Sequence, residues 1–180
     1  MNKVFTSAVV IIPPEDKWDP IQDIRNLYDR QINRWMPHIT LLYPFRPNSE
    51  FDALEEEFSK ICQEINSFEI SLKRLRSFNH GHQNFTIWLV PEPSISIVNL
   101  QSKILKLVPD CNEVTLYRRG FTPHLSVGQI KGKGYLYDLI NTLQNSWSDL
   151  KFEVNSIYFI SREKDKLAKF QIQKQINLHG

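Results

Sequence analysis

A chain of 180 residues with a formal net charge of +2 and a pI near 8.5 lacks the strong basic bias of a dedicated nucleic-acid binder, but leaves room for a phosphate held by a local positive patch. Its 41% hydrophobic and 23% charged residues exclude a disordered chain, and about 70% of the unfolded surface of such a chain can be buried without a disulfide or metal staple. No apolar stretch approaches the ~20 residues of a membrane span, so a soluble, cytoplasmic protein with no membrane partner is expected.

Val4 to Ile12 is apolar and β-branched and reads as a buried strand rather than a signal peptide, because it is short, lacks a small-residue cleavage site and runs into Pro13-Pro14. Asp19-Pro20 offers an N-cap and a first helical position. Ile21, Ile24, Leu27 and Tyr28 follow at helical spacing, to about Ile32. His38 to Phe45 is the next strand. A second helix starts at Asn48 or Ser49 with Phe51, Leu54, Phe58, Ile61 and Ile65 on one face. Phe68–Phe78 and Phe85–Val90 form a hairpin across a turn at Asn79 to Asn84. Ile95–Leu107 is a helix, Phe121–Gln129 a strand, and Tyr135 to about Trp147 a helix. Phe152–Ser161 and Lys169–Ile176 read as a closing hairpin. The order β-α-β-α-β-β-α-β-α-β-β predicts an α+β fold with largely antiparallel sheets, in one domain spanning residues 1–180. Each half carries a His-bearing strand followed by a helix and a hairpin, a weak internal echo.

That echo contains two motifs. Pro37-His38-Ile39-Thr40-Leu41 and Pro123-His124-Leu125-Ser126-Val127 are each proline, histidine, an aliphatic, a hydroxyl and another aliphatic residue. Side chains alternate along a strand, so His38 shares a face with Thr40, and His124 with Ser126, while the aliphatics point into a core. Each strand thus presents one imidazole and one hydroxyl about 6–7 Å apart at the backbone. Phosphodiester cleavage needs one group to deprotonate the nucleophile and another to protonate the leaving oxygen. Histidine titrates near neutrality, so two can start in opposite protonation states. Hydroxyl donors beside them suit the charge that develops on the phosphoryl oxygens.

The motifs and their surroundings, Trp35 to Phe45 and Gly120 to Gly128, resemble the 2H phosphoesterase superfamily, in particular its 2′-5′ RNA ligase and cyclic phosphodiesterase branch. The resemblance covers essentially the whole chain. It implies a bilobal fold with two pseudo-symmetric antiparallel sheets flanked by helices, each lobe placing one motif in a central cleft. It implies catalysis by His38 and His124, phosphate binding by Thr40 and Ser126, and neither metal nor other cofactor. Some members carry an arginine shortly after the second motif, where this chain has Gly128 and Gln129.

Other residues are candidates for substrate contacts. Tyr43 and Phe121 lie near the motifs and can stack on a base, as can Trp35, Phe45 and Tyr158, although regular alternation puts Tyr43 opposite His38 unless the strand ends or bulges first. Arg118 and Arg119 precede the second motif and could hold a phosphate in bidentate fashion. Arg162 and Arg34 could reach the cleft rim. His80-Gly81-His82 lacks further metal ligands and reads as a hairpin turn. Gly128 to Gly134 lacks P-loop spacing and reads as a flexible connection. Cys62 and Cys111 lack metal-ligand spacing and read as buried free thiols of a reducing compartment. The expected partner is an RNA end or nucleotide, bound by a monomer. Hydrolysis of a 2′,3′-cyclic phosphate, cleavage of a 2′-5′ linkage and its reversal as ligation remain open, and a binding protein without turnover is the alternative.

Overall fold

The computed structural model describes residues 2–116, 120–165 and 167–180. The strands are β1 (Ser7–Ile11), β2 (Ile39–Leu42), β3 (Phe68–Asn79), β4 (Asn84–Glu92), β5 (Leu125–Lys131), β6 (Leu150–Val154), β7 (Ser156–Ser161) and β8 (Gln171–Asn177). The helices are α1 (Trp18–Tyr28), α2 (Phe51–Cys62), α3 (Ser94–Leu105) and α4 (Lys133–Ser146). The strands form one antiparallel sheet in the order β6-β3-β4-β5-β2-β1-β7-β8. It divides into two four-stranded halves, β5-β4-β3-β6 and β2-β1-β7-β8, joined by the pair Ile39↔Leu125. The two expected sheets are these halves, fused edge to edge.

One face of the sheet is covered by helices. There the large core gathers Val9, Ile11, Ile39 and Leu125 from the sheet with Ile21, Phe58, Leu100 and Leu139 from the helices, and burying side chains of this size is the main stabilising term. The other is the open face. On it a smaller apolar cluster, Ala8, Val10, Ile12, Ile160 and Phe170, covers the β1-β7 side only. Cys62 and Cys111 are free and buried, and burial pushes their thiols up to about 12 and 11. No described helix is long and apolar enough to cross a membrane.

Several boundaries differ from the sequence reading. The segment read as one strand, Phe152 to Ser161, is two: β6 pairs with β3 at one end of the sheet, whereas β7 pairs with β1 and β8 in the other half. Leu150, Phe152 and Val154 enter the large core from even positions, then Ile157 and Phe159 from odd ones. That change of phase at Asn155 marks the break. The helix α1 starts at Trp18 after a 3-10 turn, with Pro20 inside its first turn, a tolerated site because first-turn N–H groups have no helical acceptor. It ends at Tyr28, short of Ile32. The strand read from Phe121 starts at Leu125 and continues to Lys131, so Gly128 lies in a strand rather than a flexible connection. A Cβ on Gly128 would stand 2.6 Å from the Cβ of Tyr28, so the glycine permits α1 to lie against β5.

The internal echo has an unexpected topology. The hairpin that follows the first motif, β3-β4, flanks the second motif strand, and the hairpin β7-β8 lies beyond β1 in the half of the first. His124 is therefore walled by strands from the first half of the chain, and the half that carries His38 is completed beyond β1 by strands from the second.

Candidate functional site

The motif strands β2 and β5 meet at the centre of the sheet. Ile39 and Leu125 each immediately follow a histidine, and they pair antiparallel. Continuing that register puts His38 across from Ser126 and Thr40 across from His124. Each imidazole thus neighbours the hydroxyl of the other strand, and the two histidines are diagonal neighbours, about 7–8 Å apart at the backbone. All four side chains are half-buried.

Both rings are held alike. Nδ1 of His38 lies 2.7 Å from the Met36 carbonyl, and Nδ1 of His124 lies 2.8 Å from the Thr122 carbonyl. A carbonyl only accepts, so each Nδ1 carries the proton. The tautomer leaves Nε2 as the lone-pair nitrogen of each neutral ring, and neither Nε2 has a hydrogen-bond partner among the described residues. The same holds for the hydroxyls of Thr40 and Ser126.

The two strands also share a bulge. Opposite β1, Val9 pairs with Leu42 and Val10 with Thr40, leaving Leu41 unpaired. Opposite β4, Ile87 pairs with Gly128 and Trp88 with Ser126, leaving Val127 unpaired. In each motif the second aliphatic is the extra residue, and a bulge inverts the alternation beyond it. Tyr43 therefore joins the open-face cluster with Trp35, the exception that regular alternation did not supply. Trp35 stacks on His38 with centroids 4.7 Å apart at 17° and on Phe170 at 3.7 Å, and its edge contact with Tyr43 is 5.4 Å. Arg162 stands over Phe170 at 5.5 Å.

Residues 13–166 match the model of the 2′-5′ RNA ligase superfamily. The chain belongs to that superfamily. It falls, with its structural neighbours, among the 2H phosphoesterases. TT0787 of Thermus thermophilus is 14% identical with a TM-score of 0.62, over 97% of this chain and 98% of that one. E. coli LigT, solved with ATP, is 11% identical with a TM-score of 0.62 over the same shares. A further structure, described as a phosphoesterase, is 13% identical with a TM-score of 0.59, over 98% of this chain and all of that one. At such identities the likeness is one of fold. No curated protein matches the chain in sequence.

Within this 2H fold the two histidines are not electrostatically ordinary. Burial pushes His38 down to about 4, against the Met36 carbonyl; the Arg25 and His124 charges add to the lowering and Asp29 opposes it. Burial also lowers His124, against the Thr122 carbonyl, and His80 adds to that lowering. Beneath Trp35, Arg25 is buried. It donates to Asp29 at 2.7 Å, to Gln22 at 2.9 Å and to the Trp35 carbonyl at 2.7 Å. Gln129 donates to Asp29 at 3.1 Å and accepts from the Arg30 backbone at 3.0 Å.

The other expected residues fall unevenly. Burial raises Tyr43, while the Arg162 and Arg34 charges oppose it, so both arginines act at the His38 side. Phe121 packs against the large core, and Phe45 lies within it. Arg118 and Arg119 lie outside the described residues. Around His124 the structure instead brings Phe78 at 4.9 Å and Trp88 at 5.8 Å, themselves stacked at 4.7 Å. The sequence reading missed this pair, although Trp88 sits out of phase with the core residues Phe85, Ile87 and Leu89. His80 bonds Thr86 at 2.9 Å, and His82 has a positive φ in the turn. Among the described residues no group of three or more His, Cys, Asp or Glu could hold a metal ion.

Proposed function

We propose that the chain is a phosphodiesterase acting on RNA ends or nucleotides, opening 2′,3′-cyclic phosphates or cleaving 2′-5′ linkages, with ligation as the reverse of the same step. The observation that carries this reading is the matched pair of rings: two imidazoles, each with Nδ1 on a carbonyl, Nε2 without a partner among the described residues and a hydroxyl from the facing strand alongside. For a 2′,3′-cyclic substrate, the neutral imidazole takes a proton from water as its oxygen bonds to phosphorus. The 3′-oxygen leaves with the proton of the other, protonated imidazole, giving a 2′-phosphate. Thr40 and Ser126 donate to the phosphoryl oxygens as charge builds. Burial favours the neutral form of both rings, and a bound phosphate anion supplies the charge that lets one of them hold its proton. Four of the LigT structures contain ATP, 3′-AMP, NADP+ or phosphate, which supports a nucleotide-sized phosphate ligand for this fold. Turnover of a panel of 2′,3′-cyclic nucleotides and 2′-5′ dinucleotides tests the reading. Product from at least one class is expected; tight binding with no turnover of any would reduce the protein to a binding role.

A further inference from the structure

The open face of the half that carries His124 is laid out in rows across three strands. Arg76, Trp88 and Ser126 form one row; Phe78, Thr86 and Gln129 form the next. Asn84 and Lys131 begin a third, which His80 completes through its backbone bond to the Asn84 carbonyl at 2.9 Å. The His80 side chain leans back to the second row, where Nε2 meets Thr86 Oγ1 at 2.9 Å. Rows two residues apart along a strand are about 7 Å apart. The His80–Thr86 pair therefore lies one row from Ser126, a separation on the scale of neighbouring phosphates in a nucleotide chain. None of the residues in the second and third rows is acidic, and both His80 and Lys131 are exposed.

The other half repeats the plan with different chemistry. Tyr158 and Val10 line up with Thr40, Ile160 pairs with Ala8, and Arg162 donates its backbone N–H to the Thr6 carbonyl at 2.9 Å. Counted this way, Arg162 is the counterpart of His80, Ile160 of Phe78, and Ala8 of Thr86. In the His38 half Trp35, Tyr43 and Phe170 fill the open face, and Arg162 lies over Phe170. The His124 half presents an imidazole, a hydroxyl and a lysine.

We propose that His80, Thr86 and Lys131 form a second phosphate subsite beside His124, so that the preferred substrate is a nucleotide or RNA end carrying a phosphate in addition to the one that reacts. The inference rests on the reading of His38 and His124 as the reacting site. Protonated His80 gives its Nε2–H to Thr86, leaving the threonine hydroxyl proton and the ring Nδ1–H for an anion, with Lys131 as a point charge across Asn84. The closeness of His80 to His124 also accounts for its effect on that ring.

Calorimetric titration with adenosine 3′-monophosphate and adenosine 3′,5′-bisphosphate tests the subsite without turnover. The wild type should bind the bisphosphate about 10-fold tighter or more, the worth of one charge-assisted hydrogen bond. In a His80→Ala/Lys131→Ala double variant the ratio of the two Kd values should fall to about 1–2. His80→Arg, which copies the Arg162 counterpart, should retain it. Arg74→Gln, which removes an exposed cation paired with Glu92 on the neighbouring strand, should retain it too. A wild-type ratio near 1, an unchanged ratio in the double variant, or no binding of either nucleotide would overturn the subsite. A wild type that prefers the bisphosphate but turns over no phosphodiester would refute the catalytic reading and leave the subsite standing.

Discussion

Ile39 of β2 pairs with Leu125 of β5, and this contact between the motif strands sets His38 opposite Ser126 and His124 opposite Thr40. The four motif side chains are thus positioned by backbone register at the centre of a sheet, where slippage would expel the core residues on the other face.

The register makes the hydroxyls equivalent. Thr40→Val and Ser126→Ala should each lower kcat by up to about 10²–10³-fold with little change in fold. Steady-state kinetics and circular dichroism on both variants check this. Normal turnover in both would make the hydroxyls structural.

Trp35 covers His38, and burial is the main cause of that ring's low value of about 4. Trp35→Ala should admit water and move the His38 midpoint up toward the unperturbed value of about 6.5. The midpoint is read from the proton NMR titration of the ring. A midpoint that stays near 4 would mean that other groups hold it down.

The same shift has a stability consequence. An imidazole held below its unfolded value binds protons more readily in the unfolded chain. The stability due to a neutral His38 is therefore complete above about pH 6.5 and is lost as pH falls toward about 4. The urea midpoint of wild type should fall across this window more steeply than that of His38→Gln. Parallel curves for the two proteins would contradict the assignment.

Arg25 is 2% exposed and bridges Asp29, Gln22 and the Trp35 carbonyl. Arg25→Met removes the charge partner of the Asp29 carboxylate, leaving it the Gln129 amide and the Gln31 backbone N–H, and should cost about 3–5 kcal/mol of stability. Chemical denaturation measures it. A loss below about 1 kcal/mol would mean that water replaces the guanidinium.

The motif strands, the helices and the α+β class were legible because periodicity and two repeated His-x-Thr/Ser patterns report local geometry. The walls of the site were less so. Phe78 and Trp88 reach His124 only because the β3-β4 hairpin crosses to the other half, a long-range fact that no local pattern encodes. The change of phase at Asn155 was readable and marks where one apparent strand divides between the two halves. Tyr43 depended on the bulge at Leu41, which follows from pairing with β1 rather than from the composition of β2. The low value of His38 comes from burial, with a smaller lowering by the Arg25 charge, and both arise only through the fold.

The rate of 2′,3′-cyclic nucleotide hydrolysis against pH, measured as kcat/KM from about pH 4 to 9 for wild type, His38→Ala and His124→Ala, tests the central claim most directly. The wild type should give a bell whose limbs belong to the coupled pair. Because burial lowers both rings, its maximum should lie on the acid side of about 6.5, the unperturbed histidine value. Each variant should lose about 10²–10⁴-fold in rate and one limb of the bell. A rate near wild type in either variant, or a wild-type profile that rises steadily to alkaline pH, would contradict the account.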